Sequence, residues 1–470
     1  MFVVLKSKFN GKYLRRISEE YGIEKELPQT FLNFLGDDIT SPVVKFELER
    51  AKKDAEGVHI RCCHNNKYLA PNGSGWVFAS ADHPDEEEGD QNTLFKLVKT
   101  QIDEQEYFKI QHVGLKYFAQ ILVTDNNHSS GLFMCPKEIP HPNDAFKVLD
   151  WDSLVIFPKN VALRSNLNNQ KYVSPRVFNT YPFLQFDAEE IADQTVVNEI
   201  STFSDGFVRI KNLSTKNYWR RGDGDWIYND HPEAKDDDLG YLFWPIKLGD
   251  NIVALKNMGS SYFCEKFSEG DVESCVKAGA KSITNEAKLC VSSSSMLRSI
   301  YGILFREEDG RVYNLNKVYI DEIVADNPED IENTLTIKFS YKKKSSSNFT
   351  NSVSFKLDVK PTLHIDAIPV IVDGKIEISA DVGGNIEWEK PDTVETLTKA
   401  TFTAKAPPNT TTKFTLVAIQ GTCEVPFSYI QREILYNGDT VIQTMEDGIY
   451  TGVNMFNFEI SSSQYKPPAV

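Results

Sequence analysis

The chain is poor in basic charge. Lys and Arg number 51 against 67 Asp and Glu across 470 residues, a formal net charge of −16. A nucleic-acid binder needs a basic footprint to displace phosphate counterions, so no nucleic-acid partner is expected. Docking on anionic lipid by charge alone is disfavoured on the same ground. Long apolar runs are missing too: no stretch of 18 or more residues could form a transmembrane helix. The opening Met1-Phe2-Val3-Val4-Leu5-Lys6 has neither a basic n-region nor a sustained apolar stretch. It shows no secretory signal, and a cytoplasmic location is the expectation. Cysteine is sparse, odd in number and scattered (Cys62, Cys63, Cys135, Cys264, Cys275, Cys290, Cys423), which suggests reduced thiols.

Catalytic signatures are absent as well. There is no Gly-x-Ser-x-Gly, no Walker loop, no His-Glu-x-x-His and no Cys-x-x-Cys. Cys62 and Cys63 stand near His59 and His64, but neighbouring residues of a strand face opposite sides, which disfavours a metal site. The acidic runs Asp85–Glu88 and Asp236–Asp238 read as solvated loops. A non-enzymatic protein without a cofactor is expected.

What is present is repetition. An alternating strand, a turn of Asn, Gly or Ser, and an aromatic recur at Val3–Leu14, Val58–Leu69 and Phe108–Phe118. The unit returns as Val161–Ser165 leading to Lys171-Tyr172-Val173, Phe207–Lys211 leading to Asn217-Tyr218-Trp219, and Ile252–Lys256 leading to Ser261-Tyr262-Phe263. Each copy is a strand, a tight turn and a second strand. Its apolar face cannot be buried alone, so copies must share cores. Three copies per core fit a β-trefoil, and two groups of three give two tandem trefoils. A six-bladed array or two unrelated sandwiches are the alternatives. Tyr13, Tyr68, Tyr117, Tyr172, Tyr218 and Tyr262 look like the repeated core aromatics.

Two second-repeat loops have the composition of a sugar site. One runs from Lys67-Tyr68-Leu69 through Asn72-Gly73-Ser74-Gly75-Trp76; the other from Asn217-Tyr218-Trp219 through Gly222-Asp223-Gly224-Asp225-Trp226-Ile227-Tyr228. A sugar needs a flat ring for its C–H face and planar acceptors for its hydroxyls, and glycine lets a loop come close to a ligand. The candidate carbohydrate-binding residues are Asn72, Gly75, Trp76, Asp225, Trp226 and Tyr228. The competing reading is that Trp76 and Trp226 are core aromatics. These segments resemble the agglutinin domain of amaranthin-like plant lectins, over about residues 1–295. Leu69-Ala70-Pro71 departs from that pattern where the second copy has Trp219-Arg220-Arg221. The resemblance implies a head-to-tail homodimer binding a galactose/N-acetylgalactosamine-type glycan between the first trefoil of one chain and the second of the other.

After Ser292–Ser295 the style changes to Thr/Ser/Val/Ile-rich strands. Val353, Phe355, Leu357, Val359, Leu363, Ile365 and Ala367 occupy odd positions, with polar residues between. Past Ile368-Pro369-Val370-Ile371-Val372, the apolar set moves to even positions: Ile376, Ile378, Ala380, Val382, Ile386 and Trp388. Period two puts each set on one side, as in a long hairpin with one lipid-facing arm surface and an apolar tip at Ile368–Val372. Ordinary half-buried hairpins alternate in the same way. The tip, with Ala406-Pro407-Pro408-Asn409 and Cys423-Glu424-Val425-Pro426-Phe427 downstream, resembles aerolysin-type pore-forming proteins over about residues 298–470. That resemblance implies an elongated β-sheet stalk, ring assembly, and a barrel of one hairpin per subunit in a target membrane.

The expected organisation is therefore all-β: trefoils at residues 1–151 and 152–296, then an aerolysin-like domain at 297–470. The expected function is a lectin that targets a pore-forming module to glycosylated membranes, in defence. The alternative is a non-lytic lectin whose C-terminal domain only mediates oligomerisation. A glycosidase with lectin modules is a distant third reading, since no paired-carboxylate site is recognisable.

Overall fold

The computed structural model describes residues 1–85, 91–124, 127–136, 142–167, 170–357, 359–380 and 386–464, and these are almost all β. In the first 150 residues six strands close a ring. Phe2–Ser7 pairs with Phe46–Arg50, then Gly57–Cys62, Leu94–Ile102, Gln105–His112 and Phe146–Asp150 follow, the last returning to Phe2–Ser7. Three hairpins cap it: Tyr13–Arg16 with Leu32–Gly36, Lys67–Pro71 with Val77–Ala81, and Phe118–Leu122 with Gly131–Cys135. The second set repeats the plan. Its ring is Asn160–Ser165, Val197–Phe203, Phe207–Asn212, Phe243–Lys247, Ile252–Asn257 and Leu289–Ser293. Its caps are Tyr172–Phe178 with Tyr181–Ala188, Tyr218–Arg221 with Ile227–His231, and Phe263–Glu269 with Val272–Ala280. The two sets are thus similar β domains, each a closed six-strand ring with three hairpin caps.

In each ring three of the six strands lead into a cap, through the same kind of turn. The residue ending the strand donates its N–H to a carbonyl five or six residues on: Ser7 to Lys12, His112 to Tyr117, Ser165 to Lys171, Asn212 to Asn217 and Asn257 to Tyr262, at 2.9–3.0 Å. One residue per turn is left-handed: Gly11, Asn66, Lys116, Gln170, Lys216 and Ser261, with φ between 38° and 69°. Two residues later an aromatic pairs with the preceding strand. Those aromatics are Tyr13, Tyr68, Phe118, Tyr172, Tyr218 and Phe263. The third and sixth positions therefore belong to Phe118 and Phe263 rather than to Tyr117 and Tyr262. Nor is the aromatic a uniform core residue: Tyr13 and Tyr68 are buried, while Tyr172 and Tyr218 are half-exposed, with Lys211 over the Tyr218 ring at 5.1 Å. The core takes the next residue instead, as at Leu14, Leu69, Ala119, Val173, Trp219 and Cys264.

The two rings belong to one compact unit, residues 1–298 with 352–360 and 432–443. Trp151, buried in the short turn that follows the first ring, packs with Val4, Tyr13 and Val44 and carries Lys45 over its indole at 5.0 Å. Asp205 of the second ring accepts from Lys6 at 2.5 Å and from the Tyr13 hydroxyl at 2.7 Å, and burial with this carboxylate pushes the Tyr13 phenol up. Where the unit ends, buried Glu433 accepts from Ser295 Oγ at 2.7 Å and from Arg298 Nε at 2.8 Å.

The other unit holds residues 299–351, 361–431 and 444–470. The sheet it carries runs Thr362–Leu363, Ser295–Phe305, Thr410–Leu435, Thr440–Gln464, Asn333–Thr350 and Asp392–Ala406, with Arg311–Asn327 also on Thr410–Leu435. At the Ala406-Pro407-Pro408-Asn409 turn, Asn327 Nδ2 donates to the Ala406 and Pro407 carbonyls at 2.9 Å. Asn333–Thr350 and Asp392–Ala406 form an unbroken antiparallel ladder from Asn333↔Ala406 to Ser347↔Asp392.

The segment between those two strands corrects the long-hairpin expectation. Its first part, Ser352–Leu357, forms no strand and packs in the first unit, where Phe355 joins the core of the second ring. Ile368–Val372, expected as a turn, is a strand paired with Lys375–Ser379, and the turn falls at Asp373-Gly374. Leu363, Ile365, Ile368, Ile371, Ile376 and Trp388 join a core of the second unit with Val425, Phe427 and Tyr450. Of the apolar residues expected on one continuous face, Val353, Phe355 and Leu357 thus pack in one core and Leu363, Ile365, Ile376, Ile386 and Trp388 in another, while Ile378 is exposed. Asp358, Asp381, Val382 and Asn385 lie outside the described residues, as do Glu86–Glu88 of the acidic run.

Removing the buried carboxylate of Glu433 leaves the partly buried Arg298 guanidinium without its counter-ion. Glu433→Ala should lower unfolding stability by roughly 3 kcal/mol, read by thermal denaturation. A loss no larger than that of an exposed surface pair would contradict the buried pairing.

Candidate functional site

The two Gly-Trp loops occupy matching places on their rings. In the first, the Asn72 N–H donates to the Trp76 carbonyl at 2.8 Å; in the second, Gly222 donates to Trp226 at 2.8 Å. Each tryptophan makes an isolated bridge to the third cap, Trp76 with Phe133 and Trp226 with Lys277.

The first loop is set by Asn72. Its Oδ1 accepts from the Ser74 N–H, the Ser74 hydroxyl and the Trp76 N–H at 3.0–3.1 Å. The carbonyl of this amide therefore shapes the loop. Gly75 has φ +91°, and a Cβ there would lie 2.9 Å from the Phe133 ring, so both conformation and space call for glycine. Trp76 is half-buried, stacked on His128 at 4.9 Å and edge-on to Phe133 at 5.2 Å and Phe31 at 5.9 Å.

The second loop is more enclosed. Trp226 is 9% exposed and Tyr228 6%. Trp226 meets Phe183 edge-on at 5.4 Å and carries the Lys277 ammonium 4.9 Å from its ring. Tyr228 stacks on Tyr181 at 5.7 Å and meets Phe183 at 5.1 Å. Burial, followed by the Asp223 carboxylate, pushes the Tyr228 phenol up. A Cβ on Gly222 would clash with two carbons of the Tyr228 ring. Asp225 accepts from Arg221 Nε at 2.6 Å, and Arg220 pairs with Asp230 at 2.7 Å. These ion pairs set planar charged groups around an aromatic face.

Tyr181 and Phe267 extend that face into solvent, at 48% and 37% exposure. Both escaped the sequence reading because they stand on other hairpins. The local signal for Tyr181 was Asn179-Thr180, whose φ of 46° and 74° make the tight turn that presents it. The six expected residues thus fall in two separate loops, Asn72, Gly75 and Trp76 in one, Asp225, Trp226 and Tyr228 in the other, each with neighbours from two further caps.

His59 Nδ1 meets the Thr93 carbonyl at 3.1 Å and His64 Nδ1 meets Arg16 at 3.0 Å, so both rings serve the fold. Among the described residues no group of three or more His, Cys, Asp or Glu could hold a metal ion.

Two matching ring-and-cap domains, each presenting a Gly-Trp loop, define a tandem all-β binding module. A family model of the Agglutinin domain matches residues 1–150 and again 155–292, more than half of the chain, and the chain belongs to that family. Agglutinin domains are lectin modules, which makes carbohydrate binding the class of activity for this half. No curated protein matches. Among solved structures, one entitled "Structure and mode of action of a mosquitocidal holotoxin" is 13% identical with a TM-score of 0.29, covering 65% of this chain and 35% of that one. The chain spans about a third of that protein, and so loose an overlay carries no weight for function.

The burial difference separates the two tryptophans. Trp226→Ala should cost about 3 kcal/mol of stability, and half-exposed Trp76→Ala markedly less, by denaturant unfolding. Equal losses would show that Trp76 is as much a core residue as Trp226.

Proposed function

We propose that this protein is a lectin that delivers a membrane-inserting β-hairpin to glycan-bearing membranes, where several copies form a pore. The observation that carries the membrane half is the register of the ladder flanking residues 351–391. If the pairing from Asn333↔Ala406 to Ser347↔Asp392 simply continues, Val353 meets Ile386, Val359 meets Ala380 and Leu363 meets Ile376. The same register centres the turn on Pro369-Val370, within the apolar run Ile368–Val372. Every such apolar pair then lies on one face. A closed barrel of these hairpins satisfies all backbone groups in lipid, which one hairpin cannot do.

The opposite face would line the lumen with Lys356, Asp358, Lys360, Asp366, Glu377, Asp381 and Glu387, two positive and five negative charges. The register adds Asp373 and Lys375, one of each sign. Carboxylate rings attract cations, so the pore is cation-selective. No helix among the described residues is long and apolar enough to cross a membrane, which leaves strands unaffected.

For the glycan half, the proposed ligand is of galactose/N-acetylgalactosamine type. It is held by the loop of Asn72, Gly75 and Trp76 and by that of Asp225, Trp226 and Tyr228, with exposed Tyr181 offering a ring to the sugar's C–H face. A head-to-tail homodimer brings the two kinds of loop together across chains. A cytoplasmic store and a defensive role complete the proposal.

Two measurements test this. Dye leakage should be seen from vesicles carrying a terminal galactose or N-acetylgalactosamine glycolipid, and not from bare phosphatidylcholine. Val359→Lys, on the lipid face, should suppress leakage, since Lys at the midplane costs about 2–4 kcal/mol. Ser379→Lys, on the lumen face, should keep pores and reduce cation preference. Like behaviour of the two variants would leave the C-terminal half as an oligomerisation stalk. By sedimentation the full chain should be a dimer; a monomer that binds sugar with full affinity would count against the shared site.

A further inference from the structure

The two rings bury one end differently, although their strands match residue for residue. Leu48, Val58 and Val148 are half-exposed in the first ring. Their counterparts by register, Ile200, Val208 and Val291, are 7%, 0% and 1% exposed in the second. What covers the second is the segment Ser352–Leu357. Phe355 is 3% exposed within the ring's own core cluster, with Val353 and Leu357 packed beside it. Its ring lies 4.8 Å from Phe157.

Hydrogen bonds hold the segment on both sides. Ser354 N–H donates to the Ile156 carbonyl, and Ile156 N–H donates to Ser354 Oγ, each at 2.9 Å. Lys356 N–H donates to the Asp250 carbonyl at 3.0 Å, and the Lys356 ammonium pairs with the Asp250 carboxylate at 3.3 Å. The Lys247 ammonium donates to the Ser354 carbonyl.

We infer that the open end of the second agglutinin ring is a clasp for the first arm of the membrane hairpin. This inference rests on the pore reading above and adds its restraint. Val353, Phe355 and Leu357 cannot face lipid while they fill the ring, so the arm must leave the clasp before the ladder extends. The glycan-binding half thereby holds the hairpin in its inactive form, and the first ring, which no such segment covers among the described residues, has no part in it.

The test ties the clasp. In the full chain, Asp250→Cys with Lys356→Cys, oxidised, is compared with the same protein after reductant, and each single variant controls for the native thiols. The vesicles are phosphatidylcholine and cholesterol with galactose- and N-acetylgalactosamine-terminated glycolipid. The tied protein should bind these vesicles without leakage, and reductant should restore leakage. Phe157→Ala lies outside the hairpin and loosens the clasp, so it should leak about ten-fold faster at unchanged glycan binding. If the tied protein leaks as fast as the reduced one, the clasp is refuted and the pore reading stands. If Phe157→Ala binds glycan normally and leaks no faster, the clasp is likewise refuted. If neither wild type nor the reduced protein leaks, the pore reading falls and the clasp falls with it as a gate.

Discussion

Every part of this chain answers one constraint: a two-strand unit with a single apolar face has nothing of its own to put against it. In the first 293 residues the answer is assembly. Three units close a ring whose inward residues, such as Leu14, Leu69 and Ala119, fill one core between them. Closure also removes free strand edges, which open sheets must otherwise protect. A ring so made still has an end, and the two rings of this protein treat that end differently.

The same constraint governs the C-terminal half. Residues 352–388 carry apolar residues in a pattern suited to a two-faced hairpin. In the folded chain they are divided. Phe355 completes the core of the second agglutinin ring, while Ile371 is buried beside Gly421, where a Cβ would lie 3.0 Å from its Cδ1. Asn454, itself buried, exchanges two hydrogen bonds of 2.9 Å with the Ile371 backbone. The hairpin strand is thus held by its backbone as well as by its side chains. Phe355 and Ile371 each have a partner in this form, and the proposed reading gives the segment a different one in lipid.

Turn chemistry explains why the repeats survive such varied sequence. Only one of the six left-handed turn positions is glycine, at Gly11; the others are Asn66, Lys116, Gln170, Lys216 and Ser261. Hydrogen bonds from the strand-ending residue close the turn and hold the backbone where most side chains are disfavoured. That spacing was readable and was missed: the aromatic stands six residues after the strand-ending residue in five of the six copies, which selects Phe118 and Phe263.

The sequence by itself determined what depends on near neighbours. Strand-turn-strand units, their grouping in threes, the Gly-Trp loops and the alternating arms at 352–388 all follow from periods of two and from turn residues, which act over a few positions. Only the tertiary structure decided what depends on distant partners. Burial of Trp226 depends on Phe183 and Lys277 from other caps, and exposure of Trp76 on the packing of Phe31, Phe133 and His128. The alternation of Val353, Phe355 and Leu357 states that one face is apolar. It does not state against what, because a ring core and a bilayer offer the same absence of water.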